Sequence, residues 1–332
     1  MNPLVIAEIG INHDGSILRA QQMVQDAFEA GCKCVKFQCH VIDDEMIPNN
    51  VFPANANESI WDIMARCALT EEEDQYLKDY TEQRNMLYLS TPFSRAAADR
   101  LYRMGVQAFK IGSGECNNYP LVSHIASFGR PIILSTGMND LESIAPAVNI
   151  IESSGIQYGL LQCTSMYPTP YDKVNLNAML ELKARFPKAH IGLSDHSIGN
   201  YASFAAVALG AEVIEKHFTH DKTWPGPDNS MSIEPAELAD LIRGVNAISQ
   251  AFGTGKRVLR EEQPTIDFAY ACVVAIEDIA EGDVFTRKNV WVKRPGTGEI
   301  QAAAFSSILG CHATTDIYAD HQLKWSDVKC LC

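Results

Sequence analysis

The feature that most constrains the fold is a unit that occurs eight times, in which a short apolar segment leads through a polar turn to a segment with helical periodicity. Eight βα units in about 250 residues are typical of a TIM (β/α)8 barrel, an α/β fold. An open doubly wound sheet is the alternative, but no G-x-G-x-x-G turn follows the first strand. The sequence therefore predicts a closed barrel over residues 1–253, with strands in PLVIAEIG, CVKFQCH, MLYLSTPF, AFKIGSGE, PIILSTGM, YGLLQCTS, HIGLSDH and AEVIEKHF.

The chain changes character after the barrel. Residues 254–271 are charged and then interrupted by proline, which predicts a linker. Residues 272–332 contain short strand-like runs separated by the turn signals AEGD and RPGTG. These runs predict a small, mostly β domain. Such a short segment forms only a limited core of its own, so we expect it to need further packing.

Charge and composition exclude several classes of partner. A net charge of −14 argues against binding nucleic acid by phosphate neutralisation, although a local basic pocket remains compatible with an anionic substrate. No apolar run is long enough to cross a bilayer, and the first residues lack the pattern of a signal peptide. We expect a cytoplasmic protein without nucleic-acid or membrane partners, whose ten scattered cysteines are reduced and mostly buried thiols.

Polar side chains end nearly every predicted strand. In a TIM barrel, chemistry takes place where the strands end and the βα loops begin. The stretch AEVIEKHF places Glu215 and His217 on one face of its strand, among apolar residues that a purely structural strand would keep free of charge. We predict one shared pocket for the strand-end residues, which are Glu8, Lys36, Thr91, Lys110, Ser135, Thr164, Ser194, His196, Glu215 and His217.

Two lysines on inward strand positions indicate an anionic ligand. Lys36 and Lys110, together with the hydroxyl groups of Thr91, Ser113, Ser135 and Ser194, suit a phosphate and a carboxylate held together. Gly112 and Gly114 would let backbone N–H groups approach that anion. Two alternatives stay open: Lys36 forms a structural salt bridge with Glu8 or Glu215, or Lys110 forms a Schiff base as in class I aldolases.

Two histidines are the candidate metal ligands. His196 and His217 come from neighbouring strands, with Asp195 and Glu215 as polar neighbours, and two imidazoles with open positions suit Mn²⁺ or a similar divalent ion. Glu8 is a candidate base or a ligand for sugar hydroxyls. The loop histidines His13, His40 and His220 are spare ligands or surface residues. The remaining histidines are expected to be structural or exposed.

Nine motifs in order resemble the N-acetylneuraminate (sialic acid) synthase family. The resemblance covers nearly the whole chain and includes a C-terminal antifreeze-protein-like (SAF, β-clip) domain. The motifs are IAEIGINHDGS, VKFQ, STPFSRAA, FKIGSGECNNYPL, ILSTGM, YPTPY, GLSDH, KHFT with PGPD, and WVKRPGTG.

The resemblance implies an activity and a site. The family condenses phosphoenolpyruvate with the open-chain form of an N-acetylated mannosamine and releases phosphate. It implies a divalent metal on His196 and His217, with Mn²⁺ expected and Mg²⁺ or Co²⁺ possible. It also implies a domain-swapped homodimer, in which Arg294 enters the partner's site and contacts the acetamido group. The implied catalytic residues are Glu8, Lys36, Lys110 and Glu215, and those that bind substrate are Gln38, Thr91, Ser113, Ser165, Tyr167, Ser194 and Asp228.

The chain departs from the family pattern at one position. Ser165 stands in the motif Cys163-Thr164-Ser165-Met166-Tyr167 where sialic acid synthases commonly have asparagine, and this replaces an amide with a hydroxyl. The stretch EKHFTHDKTWPGPDNSMS is closer to synthases of legionaminic or pseudaminic acid, which use 2,4-diacetamido-2,4,6-trideoxy sugars. Two further functions stay open, that of a Schiff-base aldolase and that of a non-catalytic carbohydrate-binding protein.

Overall fold

The first unit of the chain is a parallel barrel. The computed structural model describes residues 2–53 and 56–330 and divides between Gly253 and Thr254 into two compact units. The barrel strands are β1 (Leu4–Gly10), β2 (Cys34–Cys39), β3 (Leu87–Pro92), β4 (Phe109–Ile111), β5 (Ile132–Ser135), β6 (Tyr158–Cys163), β7 (His190–Asp195) and β8 (Val213–His217).

These strands pair in the order β3-β2-β1-β8-β7-β6-β5-β4, and the paired neighbours are parallel. Strand β1 lies between β2 and β8, as barrel closure requires. At the remaining seam, β3 and β4 lie side by side, with no ladder of hydrogen bonds in the described residues. The predicted TIM-barrel class is confirmed.

Helices surround the strands and bury their apolar faces against them. Gly31 and Asn85 follow two of these helices with φ of +86° and +55°, the left-handed conformation expected at helix ends. The helices are α1 (Ile17–Glu29), α2 (Ile42–Glu45), α3 (Ile60–Cys67), α4 (Glu71–Glu82), α5 (Arg95–Arg103), α6 (Tyr119–Ala126), α7 (Leu141–Ser153), α8 (Asn177–Arg185), α9 (Tyr201–Ala208) and α10 (Pro235–Ala251).

The inside of the barrel has an apolar floor. It consists of Ile6, Cys34, Leu89, Leu161 and Val213, which are buried in one cluster. Because side chains alternate along a strand, the residues two positions further along point into the same interior, nearer to the carboxyl ends of the strands. On β1, β2 and β8 those residues are charged. These charged side chains therefore lie between the apolar floor and the mouth of the barrel.

The second unit is small and has its own core. It contains α11 (Gln263–Ala269), inside the segment predicted as a linker, followed by β9 (Cys272–Ala275), β10 (Val290–Lys293), α12 (Phe305–Ile308), β11 (His312–Ala313) and β12 (Val328–Lys329). Strand β9 pairs antiparallel with β10, and β11 with β12. Val273, Phe285, Ile300 and Leu323 are buried in its core. The predicted mostly β character of this region is confirmed.

The cysteine prediction is wrong for one pair. Cys311 and Cys330 form a disulfide in the second unit, which the sequence could not indicate because the two residues are separated by 19 positions. The other described cysteines are free and buried, as expected. Cys332 lies outside the described residues. No helix in the described part of the chain is long and apolar enough to cross a membrane.

Candidate active site

The strand ends enclose one cavity of about 280 Å³ at the mouth of the barrel, which we call the inner cavity. Every barrel residue that the sequence analysis assigned to catalysis, substrate binding or metal binding contributes to its lining. The assigned residues are Glu8, Lys36, Gln38, Thr91, Lys110, Ser113, Ser165, Tyr167, Ser194, His196, Glu215, His217 and Asp228. Ser135 also lines the cavity. Their individual roles stay predictions. Arg294 lies in the second unit, on a separate cavity that is also lined by Lys293 and Lys324.

Two lysines and two carboxylates form a buried cluster inside this cavity. Lys36 Nζ lies 2.8 Å from Glu8 Oε2 and donates a hydrogen bond of 3.0 Å to Thr91 Oγ1. Lys110 Nζ donates to Ser135 Oγ at 2.7 Å and lies 3.7 Å from Glu215 Oε1. All four charged side chains are at least nine-tenths buried, so their charges act through little water.

The two carboxylates of this cluster differ in acidity. Burial raises the pKa of Glu8 to about 7, although Lys36 partly opposes the shift. Burial would also raise the pKa of Glu215, but Lys110 and Lys36 and the hydrogen bond from Ser194 Oγ hold it below its ordinary value. The cluster thus combines a persistent anion with a carboxyl group that can exchange a proton near neutral pH.

Two imidazoles meet beside this cluster. The rings of His196 and His217 are edge-to-face with centroids 5.3 Å apart, and Tyr167 stacks on His196 at 4.3 Å. His196 Nδ1 contacts the Thr164 carbonyl oxygen at 3.0 Å, which as a donor N–H would leave Nε2 with its lone pair available. His217 Nδ1 is buried without a hydrogen-bond partner among the described residues. Such an arrangement suits a ligand pair for a metal.

The imidazole pair fits a metal site that remains open. In the described part of the chain, no three His, Cys, Asp or Glu side chains come close enough to hold an ion by themselves. Two imidazoles would leave the other coordination positions to oxygen atoms of substrate or water, which is the pattern of a catalytic rather than a structural site. The donor set therefore fits a borderline divalent ion.

Asp195 is not a neighbour of this pair, contrary to expectation. It points to the opposite side of β7, where Oδ2 lies 2.9 Å from Lys216 Nζ. Thr164 also turns away, and its hydroxyl donates to the Lys173 carbonyl oxygen. The error arises because residues i and i+1 of a strand face opposite sides, so proximity in sequence does not mean a shared pocket.

The loop histidines have other partners. His40 is buried, and its two ring nitrogens lie 2.8 Å from Glu45 Oε2 and 3.1 Å from Gln38 Oε1. His13 is also buried, with its Nδ1 accepting from Gly15 N, whereas His220 contacts Asp26 at 2.7 Å. His40 therefore fixes Gln38, a cavity residue, and is neither exposed nor a ligand beside the imidazole pair.

Sequence reasoning did not assign three further residues of the inner cavity: Phe93, Met138 and Cys163. Phe93 and Cys163 lie at or next to the ends of β3 and β6, so position at the strand end is the signal that would have found them. Gly137 contributes by its lack of a side chain. A Cβ there would lie 2.4 Å from Ser165 Oγ and 2.9 Å from Ser113 Oγ, so glycine allows these hydroxyl groups to converge.

Comparison with known proteins identifies the family of the chain. Residues 23–257 match the model of the NeuB family, and residues 270–329 match that of the SAF domain. The chain is 38% identical over 331 residues to the N,N'-diacetyllegionaminic acid synthase of Campylobacter jejuni, covering 97% of this chain and 98% of that protein. It is 35% identical over 295 residues to the N-acetylneuraminate-9-phosphate synthase of Homo sapiens, covering 87% and 82%.

A solved structure gives the same result. The sialic acid synthetase of Leptospira borgpetersenii, crystallised with citrate, superposes with a TM-score of 0.72 at 34% identity and covers 80% of this chain and 90% of that one. The chain therefore belongs to the NeuB family, and the resemblance drawn from its motifs is confirmed.

Proposed function

We propose that this protein condenses phosphoenolpyruvate with the open-chain form of an N-acetylated mannosamine-type sugar, giving a nonulosonic acid and inorganic phosphate. The observation that supports this most is the inner cavity, where two lysines, two carboxylates and two imidazoles converge on one small volume. The named activities of its relatives are of this type. A binding module would have no use for so many buried charges, because each is costly to desolvate.

Lys36 and Lys110 offset the negative charge of phosphoenolpyruvate. The hydroxyl groups of Thr91, Ser113, Ser135 and Ser194 offer hydrogen bonds to its phosphate and carboxylate oxygens. Lys36 is already hydrogen-bonded to Thr91 and Lys110 to Ser135, and all four side chains are buried, so these donors need little rearrangement when the anion binds. In the free protein, Glu215 Oε1 lies 4.0 Å from Lys36 Nζ and 3.7 Å from Lys110 Nζ, and its negative charge favours the charged form of both lysines.

His196 and His217 would hold a divalent metal ion, of which Mn²⁺ is the best candidate and Mg²⁺ or Co²⁺ are alternatives. Such an ion acts as a Lewis acid towards the aldehyde oxygen of the sugar. Gln38, Tyr167 and Asp228 also line the inner cavity and would orient the sugar. Ser165 supplies a hydroxyl where the family commonly has an amide.

The reaction forms one carbon–carbon bond and, at the carbon that carries the phosphate, exchanges the bond to the phosphate oxygen for a bond to the oxygen of water. The methylene carbon of phosphoenolpyruvate attacks the aldehyde carbon, whose oxygen takes up a proton. Water then adds to the resulting oxocarbenium carbon and loses a proton, and the tetrahedral product expels phosphate to leave the keto acid. Glu8 is suited to move these protons, because its pKa of about 7 allows both protonation states at working pH.

The second unit supplies the remaining part of the proposal. Arg294 would reach the sugar site of a partner subunit in a domain-swapped homodimer and contact the acetamido group. We place the enzyme in the cytoplasm, where phosphoenolpyruvate is available.

The test is phosphate release from phosphoenolpyruvate by the full-length protein with Mn²⁺ and N-acetylmannosamine. We expect release that depends on both the sugar and the metal, is abolished by a chelator and returns when Mn²⁺ is added. His196→Ala and His217→Ala should bind less Mn²⁺ at equilibrium while remaining folded. Absence of phosphate release with every mannosamine-type sugar, from a folded and metal-loaded protein, would refute the proposal.

A further inference from the structure

Two loops meet beside the lysines of the inner cavity. Residues 136–140, which we call the β5 loop, follow strand β5, whose last residue Ser135 accepts from Lys110 Nζ at 2.7 Å. Ser113 lies in the loop after β4 and lines the cavity, as does Met138 of the β5 loop. Because the lysines mark where an anion would bind, the relative position of these two loops decides which other donors reach it.

Asn139 connects the two loops through its side-chain amide. Its Nδ2 donates to the Ser113 carbonyl oxygen at 3.0 Å and to the Gly137 carbonyl oxygen at 2.7 Å, which uses both N–H groups of the amide. The backbone N–H of Asn139 donates to the Thr136 carbonyl oxygen at 3.2 Å. Asn139 is therefore held by its own loop and links that loop to the one after β4.

The contact that this amide supports involves the hydroxyl group of Ser113. The Gly137 N–H donates to Ser113 Oγ at 3.0 Å, so the oxygen acts as an acceptor there. The β5 loop therefore does not use the hydroxyl proton, which can be donated to an anion in the cavity. Since Asn139 binds the carbonyl groups of both Ser113 and Gly137, it sets the distance between the partners of this contact.

The conformation of the β5 loop is unfavourable in itself. Met138, between the two anchored residues, has a φ of +62°, the left-handed conformation that a side chain with a Cβ rarely adopts. In addition, Asn139 Oδ1 is buried without a hydrogen-bond partner among the described residues, which is unfavourable for stability. A loop that only had to join β5 to α7 would need neither feature.

Asn139 does not touch the space where the substrate would bind. It lies outside the lining of the inner cavity and lines a neighbouring cavity of about 510 Å³ instead. Any effect of its amide on an anion beside the lysines must therefore pass through Ser113 and Gly137, which the amide holds. This is the geometry of a positioning residue.

The next residue, Asp140, has a different task. Its Oδ1 accepts from the Ser143 N–H at 2.8 Å, and Ser143 Oγ accepts from the Asp140 N–H at 3.0 Å. This reciprocal pair caps the first turn of α7. Neither residue lines the inner cavity. The β5 loop thus places a residue that links two cavity loops directly before one that stabilises a helix.

We propose that Asn139 is a positioning residue for phosphoenolpyruvate, because its amide fixes the β5 loop against the loop after β4 and so directs the Ser113 hydroxyl group towards the anion. This rests on the proposed condensation and goes beyond it, since it assigns a role to a residue outside the substrate cavity. The two hydrogen bonds from Nδ2 and the contact between Gly137 and Ser113 carry the inference.

The experiment measures phosphate release by the full-length, Mn²⁺-loaded Asn139→Ala variant, with phosphoenolpyruvate and N-acetylmannosamine varied in turn. We expect KM for phosphoenolpyruvate to rise about 10-fold, while KM for the sugar and equilibrium Mn²⁺ binding stay unchanged. Asn139→Ser keeps one hydroxyl donor and should recover part of the loss. No phosphate release by the wild-type protein with any mannosamine-type sugar would refute the condensation, and this inference with it.

Asp140→Ala is the matched control at the next position. It should lower the urea concentration at the midpoint of unfolding, because it removes the helix cap, and leave KM for phosphoenolpyruvate unchanged. An unchanged KM for phosphoenolpyruvate in Asn139→Ala would overturn the inference while leaving the condensation intact. So would an equal rise of KM for both substrates, or an equal rise in Asn139→Ala and Asp140→Ala, because Asn139 would then support only the fold.

Discussion

Strands β7 and β8 carry two buried ionic networks that face in opposite directions. Ser194 and Glu215 point into the barrel, where Glu215 meets Lys36 and Lys110. Asp195 and Lys216, each one position further along, point outward and pair with one another. The two networks thus have similar composition and burial and come from adjacent residues. A comparison of them shows what distinguishes ionic groups of a candidate active site from ionic groups that stabilise the fold.

The outward network is saturated. Asp195 Oδ1 accepts from the backbone N–H and the hydroxyl of Ser197, and Oδ2 accepts from Ser203 Oγ at 2.7 Å and pairs with Lys216. Lys216 Nζ also donates to the Ser197 carbonyl oxygen. These contacts connect β7, β8 and the start of α9. With its carboxylate and ammonium groups fully partnered, this network holds the strand ends in place.

The inward network is not fully hydrogen-bonded within the described residues. Glu215 Oε2 is buried without a hydrogen-bond partner among the described residues. Buried groups left partly unsatisfied are unfavourable for stability, so they mark places where a ligand completes the structure. The difference predicts that inward substitutions reduce activity and outward ones reduce stability.

The largest effect is expected for Lys110→Met. The change removes one of the two cations that face the phosphate and carboxylate, so kcat/KM for phosphoenolpyruvate should fall by about 1000-fold. Glu215 retains Ser194 and Lys36, and we therefore expect cooperative unfolding and unchanged far-UV circular dichroism. Steady-state phosphate release and a urea titration measure both quantities.

Borohydride trapping tests the aldolase alternative for Lys110. A Schiff-base mechanism requires that borohydride trap pyruvate on Lys110 of the unmodified protein and that the activity need no metal. We expect no trapping and a strict metal requirement. Trapping on Lys110 without metal would show that this lysine acts in covalent catalysis and does not serve mainly to neutralise the charge of the substrate.

The matched outward variant is Lys216→Met. It leaves the Asp195 carboxylate buried without its counter-charge, which should lower the free energy of unfolding by about 3–5 kcal/mol. The remaining folded protein should bind phosphoenolpyruvate with unchanged KM. Urea denaturation monitored by fluorescence gives the stability. A normal unfolding curve combined with a raised KM would show that the two networks are not separable in this way.

The inward network was largely predictable from the sequence. A carboxylate at i and an imidazole at i+2 in an apolar strand indicate a shared inner face, and Glu215 and His217 lie there. Lys36 and Lys110 followed from the same alternation. The count of eight βα units gave the closed barrel, because a closed sheet brings every strand end to one rim.

Long-range partners were not predictable. Asp195 was expected near the imidazoles because it is next to His196 in sequence. Its actual partner, Lys216, lies on another strand, and only the register of β7 with β8 brings the two side chains together. Helix α3 was missed because it lies in the long connection after β2, outside the regular βα repeat. The partners of His40 were missed for a similar reason, since Glu45 belongs to that connection too.

A second outward carboxylate gives a pH test. Asp74 of α4 is buried against Cys39 and Arg100, and burial raises its pKa to about 6 from an unfolded value near 3.8. Between these values the folded state binds more protons, so stability is greatest below the lower one and falls as pH rises through the upper one. From pH 4 to 7 the protein should lose about 2.4 kcal/mol relative to Asp74→Asn.

Denaturation of both proteins across this range measures the difference, and the comparison cancels the other titrating groups. The activity of Asp74→Asn should keep the same dependence on substrate concentration, because Asp74 lies outside the lining of the inner cavity. Parallel stability curves for the two proteins would mean that the pKa of Asp74 is the same in the folded and unfolded states.

The smallest effect is expected behind the inner cavity, at His40, which links Glu45 to Gln38 and stacks on Phe93 at 4.8 Å. His40→Ala should release the Gln38 amide, whose Nε2 otherwise donates to Glu8 Oε1 at 3.4 Å. We expect kcat/KM for the sugar to fall about 10-fold while KM for phosphoenolpyruvate stays unchanged, as for a positioning residue.

His124→Ala is the control, because His124 also pairs with a carboxylate, Asp99, at 2.7 Å but lies outside the lining of the inner cavity. It should leave the kinetics for both substrates unchanged. His40→Gln retains an N–H donor towards Gln38 and should restore part of the loss. An equal decline of kcat/KM for the sugar and for phosphoenolpyruvate in His40→Ala would mean that His40 supports only the fold. In that case His40 would not position Gln38 for the sugar.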